Sequence, residues 1–222
     1  MILAATGLRR EARIIARPGL VTAIAGGGDA ARLETGLEAR AGTARAVLSI
    51  GLGGALVDGL APGDWVIGGG GRAGAAWRER LHALLPGARI GPVHADGMMI
   101  ADAAAKRALH AATGAIAVDM ESHVAGRVAA RHGLPFAILR VISDGVDHGL
   151  PPAAQAGMRP DGGMAIGAVL ASLARHPGQL AALLRTARDA ERGFRSLLRG
   201  YDVLARFGFG LADLCELPLD MA

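Results

Sequence analysis

Two carboxylates bracket one segment of this 222-residue chain, Glu121 in Val118-Asp-Met-Glu-Ser122 and Asp144 in Ile142-Ser-Asp-Gly145. Paired carboxylates are residue types suited to general acid–base chemistry. Between them Ser122 to Arg131 reads as a helix, with Val124, Val128 and Ala129 at helical spacing. Gly133 and Pro135 stop it, and Phe136 to Ile142 is a nearly unbroken apolar run of strand length. The order strand, acid, helix, strand, acid predicts both carboxylates at the C-terminal edge of a parallel sheet, where open α/β sheets bind ligands.

The rest of the chain supplies the elements that would hold such a site. Ile2–Ala5, Leu20–Ala25 and Ala46–Ile50 read as strands, closed by glycine turns at Gly7, at Gly26 to Gly28 and at Gly51 to Gly54. Helices follow around Glu11 to Ile15 and from Asp29, a good N-cap, to Ala39. Trp65–Gly68 begins another strand, Ala75–Leu85 and Ala101–Ala112 read as helices, and Ala88–His94 is extended. Alternating short apolar strands and helices predict an α/β fold, mixed but mostly parallel, with helices flanking the sheet. Residues 1–222 read as one such domain, with 177–222 as a helical C-terminal extension. There Gly193 and Gly200 predict a break into two or three helices. The glycine turns let backbone N–H groups approach an anion or a sugar, although ordinary strand-to-helix turns look the same.

Composition narrows the function. Lys106 is the only lysine against 23 arginines, and the formal net charge is +4. No basic run is interleaved with aromatics, which argues against nucleic-acid binding. Cys215 stands alone, so neither a disulfide framework nor a cysteine metal site is available, and a reducing cytoplasm is expected. His94, His123, His132 and His148 fit no metal spacing, so neither a metal nor a cofactor is expected. No stretch reaches the ~18 apolar residues of a spanning helix.

Val118-Asp-Met-Glu-Ser122 followed by Val141-Ile-Ser-Asp-Gly145 resembles the paired signatures of the purine nucleoside phosphorylase/nucleosidase superfamily. Across 117–163, including Leu150-Pro-Pro and Met158-Arg-Pro-Asp-Gly-Gly163, the chain is most similar to the hopanoid-associated phosphorylases. The resemblance implies cleavage of an N-glycosidic bond to adenine, with a nucleoside as substrate and a homo-oligomer as assembly. Asp144 would protonate the leaving purine, which requires burial in apolar surroundings. A plain helix N-cap is the structural alternative for it. Glu121, as an anion, and Met120 would bind the ribose. Glu11 matches the glutamate that activates water in methylthioadenosine/S-adenosylhomocysteine nucleosidases. Met99, Ile100 and Ser143 would face the base, Met99 standing where those enzymes carry a stacking aromatic. Gly7, Gly26, Gly51 and Gly53 would frame a water or phosphate site.

Phosphate as co-substrate needs donors, for which Arg9, Arg10 and Arg32 lie near the glycine turns, whereas an ionised Glu11 favours water. The hopanoid likeness implies a hydrocarbon 5′ substituent on the adenosine. A methylthioadenosine/S-adenosylhomocysteine nucleosidase is the alternative enzyme, and a non-catalytic nucleoside-binding module the alternative of another class. Between residues 177 and 206 an apolar face is flanked by six arginines against three acids. That pattern suits either packing on the domain or peripheral contact with an anionic membrane.

Overall fold

The computed structural model describes residues 1–69, 71–157, 159 and 161–211. Cys215 and the end of the C-terminal extension, with Met158 and Pro160 of the loop singled out above, lie outside the described residues. The elements follow in order as β1 (Ile2–Thr6), α1 (Arg9–Ile15), β2 (Val21–Ala25), α2 (Ala30–Ala41), β3 (Ala46–Ala55), β4 (Trp65–Gly68), α3 (Gly71–Leu84), β5 (Arg89–Ile90) and β6 (Val93–Ala95). Then come α4 (Ala103–Thr113), β7 (Ala117–Asp119), α5 (Ser122–Arg131), β8 (Phe136–Asp144), α6 (Pro152–Ala156), α7 (Ile166–Arg175) and α8 (Leu180–Arg206).

The strands form one mixed, mostly parallel sheet in the order β2-β1-β3-β8-β4-β5, with β7 and β6 continuing from the far end of β3. Alternation along β1 shows how the sheet is covered. Ile2 and Ala4 point into a cluster with Trp77, Phe194, Leu197 and Leu204 of α3 and α8. Leu3 and Ala5 point the other way, toward Leu33 and Leu37 of α2 and Val124 and Val128 of α5. Each fully buried Ile, Leu or Val among them contributes about 1.5–3 kcal/mol.

Three expectations need correction. First, β7 runs antiparallel to β3 and β8 parallel to it, so Glu121 and Asp144 do not share one parallel edge. They converge because β7 and β8 approach β3 from opposite directions, Gly54 facing both Val118 and Asp144. Second, Gly51 to Gly54 do not end β3 but lie within it. Their missing side chains leave room: a Cβ on Gly51 would stand 2.8 Å from the Glu11 carboxylate, and one on Gly54 3.2 Å from Asp144 Oδ2. Third, α8 is one helix of 27 residues. Gly193 and Gly200 do not break it, because they seat it: a Cβ would meet Leu52 at 2.9 Å and the Trp65 ring at 2.3 Å. Close packing on the sheet outweighs the roughly 1 kcal/mol that each glycine costs an isolated helix.

Candidate active site

A cavity of about 650 Å3 opens where β1, β3, β7 and β8 end against α1 and α8. Of the residues singled out in the sequence, Gly7, Glu11, Gly53, Met99, Ile100, Met120, Glu121, Ser143 and Asp144 line it. Gly26 and Gly51 do not. Gly26 packs on Leu33 and donates its N–H to the Thr6 carbonyl at 2.8 Å, while Gly51 sits behind Glu11. Gly27 and Gly28 take the wall position instead. At Gly28, with φ +84°, a Cβ would come within 3.3 Å of Met120 Cε.

Glu11 sits in the first turn of α1 and is buried. Its Oε2 accepts the N–H groups of Gly7 and Leu8, and its Oε1 that of Leu52, all at 2.8 Å. Burial pushes its carboxyl above the ordinary glutamate range, opposed by the Leu52 and Leu8 N–H groups and the Arg140 charge. Glu121 lies beside it, close enough to Gly7 that a Cβ there would be 3.0 Å from Oε1. Burial pushes Glu121 up to about 8; Arg140 works against the rise, while Asp119 and Glu11 add to it. The expected anion is therefore a neutral carboxylic acid at pH 7 in the free protein.

Beneath these acids lies a polar knot that the sequence did not announce. Arg140, in the middle of β8 and without exposed surface, donates from Nε to Asp119 Oδ2 at 2.9 Å. Its Nη2 donates to the hydroxyls of Ser49 and Ser122. Asp119 Oδ1 in turn accepts the N–H groups of Glu121 and Ser122 at 2.7 Å each, which fixes the turn carrying Glu121. Arg140 Nη1 is buried with no hydrogen-bond partner among the described residues. A charged group inside a buried strand must be paired, and that was the available signal for Asp119.

Asp144 closes β8 and is 9% exposed, yet its surroundings are not the apolar pocket expected. Ser143 Oγ donates to Oδ1 at 2.7 Å, and the ammonium of Lys106 pairs with Oδ2. Lys106 comes from α4, is itself completely buried, and donates also to the carbonyls of Gly145 and His148 at 2.9 Å each. Of the arginines near the glycine turns, Arg9 and Arg10 line the cavity with their charges already paired, and Arg32 does not line it. Arg9 holds Asp161, and Arg10 pairs with Glu191 at 2.8 Å while lying over the Phe194 ring.

The Glu121 value gives a stability prediction with a definite sign. Between the ordinary 4.5 and about 8, an unfolded chain ionises this group and the folded one does not. The stability from the neutral buried form is fully present below about 4.5 and is lost as pH rises through 8. Glu121→Gln, neutral at every pH, should raise Tm at pH 8 by several degrees, at about 2–4 °C per kcal/mol for a chain of this size. It should also flatten the fall of Tm across that window. Parallel Tm-against-pH curves for the two proteins would contradict the protonation assigned to Glu121.

Comparison with known proteins agrees with this geometry. Residues 72–190, just over half of the chain, match the Phosphorylase superfamily. No curated protein sequence matches. Among solved structures the fold is similar to that of a Helicobacter pylori 5′-methylthioadenosine/S-adenosylhomocysteine nucleosidase complexed with a substituted pyrrolidin-3-ol. The identity there is 16%, 90% of this chain and 97% of that one are covered, and the TM-score is 0.59. It is similar also to an MTA/SAH nucleosidase of Streptococcus pneumoniae in complex with 8-aminoadenine (14% identity, 89% and 98% covered, TM-score 0.57). A third likeness is to the futalosine hydrolase of Helicobacter pylori (16% identity, 89% and 97% covered, TM-score 0.55). With its acids gathered around one cavity at the sheet ends, the chain belongs to the Phosphorylase superfamily of enzymes.

Proposed function

We propose that the protein hydrolyses the N-glycosidic bond of a 5′-substituted adenosine, releasing adenine. The observation that carries water over phosphate is the seat of Glu11. The three backbone N–H groups that a phosphate dianion would require are already accepted by this carboxylate. Glu11 takes a proton from water, Asp144 delivers one to purine N7, and Glu121 with Met120 holds the ribose. As positive charge develops on the sugar, Glu121 is drawn toward its anionic form, an interaction that strengthens in the transition state. Met99, Ile100 and Ser143 attend the base.

The wider wall of the cavity is apolar, formed by Met98, Leu150, Met164 and Phe194. With the likeness of 117–163 to the hopanoid-associated phosphorylases, this supports a hydrocarbon 5′ substituent and adenosylhopane as substrate. The membrane contact moves accordingly. Phe194, Leu197, Tyr201 and Leu204 of α8 are buried on the sheet and unavailable to lipid. Met164, Ile166 and Leu170, on and before α7, are 60–71% exposed, and Leu180 and Leu184 at the start of α8 are 46% exposed. These residues would rest on the cytoplasmic membrane face, or against a second copy of the chain in a homo-oligomer. No helix among the described residues is long and apolar enough to cross a membrane.

Adenine release should proceed equally with and without phosphate, and KM should fall as the 5′ alkyl chain lengthens. A sugar 1-phosphate formed only with phosphate would overturn hydrolysis, and a preference for the methylthio group would favour the methylthioadenosine/S-adenosylhomocysteine nucleosidase reading. A protein that binds nucleosides but releases no base from any of them is a binding module. For the membrane, the full chain should sediment with anionic liposomes at low salt. Ile166→Glu with Leu170→Glu should abolish that while sparing activity on short soluble substrates.

A further inference from the structure

Asp144 belongs to two cavities. One face of it lines the large cavity, and another lines a separate pocket of about 230 Å3 bounded by Asp147, His148, Ala182, Arg185, Thr186 and Asp189. Asp144 and Thr186 are common to both walls. At ~30 Å3 for each water in the liquid, the second pocket has room for several. It reaches the surface, since Asp147 and Arg185 are exposed. Yet its inner wall is polar, and His148 Nδ1 is buried with no hydrogen-bond partner among the described residues. Lys106 sets the junction. One fully buried ammonium grips Asp144 and the backbone of His148 together, so the acid and the imidazole-bearing loop hold a fixed relation.

The reaction proposed above leaves a proton imbalance that such a pocket resolves. The attacking water gives its oxygen to C1′ and one proton to Glu11. The C1′–N9 bond breaks with its electrons passing to the purine, and N7 takes a proton from Asp144. At the end Glu11 carries a proton too many and Asp144 one too few. Glu11 can discharge through the large cavity once products leave. Asp144 also faces that cavity once the base has left, but while substrate is bound the base covers that side, and the second pocket is then the open approach to it.

We propose that the second pocket is the path by which protons reach Asp144 from solvent, with His148 as the relay and Lys106 as a positioning residue. This rests on the reading of Asp144 as the acid. The other charges facing the pocket are Arg185 and two carboxylates held in pairs, Asp147 by Arg107 and Asp189 by Arg192 at 2.9 Å. Arg107 also approaches Asp58 at 3.6 Å. The His148 ring has two nitrogens, one able to donate and the other to accept a hydrogen bond, and its Nδ1 is buried without a partner among the described residues, which fits it to pass a proton along this wall.

The test compares two substrates with the same ribosyl group, one losing adenine and the other 4-nitrophenoxide, a leaving group that needs no proton. Ala182→Leu, which fills the pocket, and His148→Ala should each slow adenine release roughly tenfold or more, within the range for proton transfer by a side chain. Both should leave nitrophenoxide release unchanged. Added imidazole should restore His148→Ala and not Ala182→Leu. Equal loss on both substrates, or no loss on either, overturns the proposal. Failure of the underlying reading looks different: Asp144→Asn would then release adenine normally.

Discussion

Glu11→Ala should slow adenine release by water about 10²–10⁴-fold, the span expected for losing a general base. The same variant uncovers three N–H donors, on Gly7, Leu8 and Leu52, that now face its carboxylate, with Arg140 charge close by. That is a ready anion site, so formate, azide or phosphate should restore part of the lost turnover. Phosphate should yield a sugar 1-phosphate, a product that the proposed hydrolysis does not give in the wild type. Near-normal release without an added anion would remove Glu11 from catalysis. Absence of rescue by every small anion would mean that the loop closes over the gap.

Asp144→Asn has an effect of similar size for a different reason. The amide oxygen can accept from Lys106 as the carboxylate does, but the amide cannot take up a proton and pass it to N7 as a carboxyl group can. Turnover of adenosine substrates should fall by about 10²–10⁴ with KM within a few fold of wild type. Because Lys106 then keeps a buried charge without its counter-ion, Tm should fall as well, losing a buried partner costing about 3–5 kcal/mol. Kinetics taken well below the variant's own Tm separate the two effects. Ordinary turnover there would leave Asp144 as a structural partner of Lys106.

The strands and helices were largely legible, because apolar runs bounded by glycine and proline carry most of the information and the burial found here follows them. Asp29 caps α2 through its side chain as its type suggested, accepting from Arg32 at 3.0 Å. What misled was glycine inside β3. Gly51 to Gly54 have the composition of a turn, and their purpose becomes visible only when Glu11 and Asp144 fill the space that side chains would take. The same holds in α8, where Gly200 answers to Trp65, a residue remote in the sequence.

At the site, the acids could be found because their local motifs are distinctive. Their partners could not. Lys106 lies among alanines on α4 like any solvent-facing lysine, and its partner stands 38 residues later. The one hint was that a chain which otherwise uses arginine placed a lysine there. Arg140 was visible as a charge in an apolar strand, but which groups it bonds depends on how β7 turns back across β3.

That single lysine also makes the protein its own reporter. Lys106 is the chain's only side-chain amine and has no exposed surface. An amine-directed label, or a protease cutting after lysine, can reach it only when α4 lifts from the 145–148 loop. The rate of modification therefore measures how often this neighbourhood opens, weighted by the free energy of that local excursion alone. A nucleoside that binds the closed form must slow the labelling in proportion to its occupancy. Screening for ligands thus needs no knowledge of the reaction, only a count of modified Lys106.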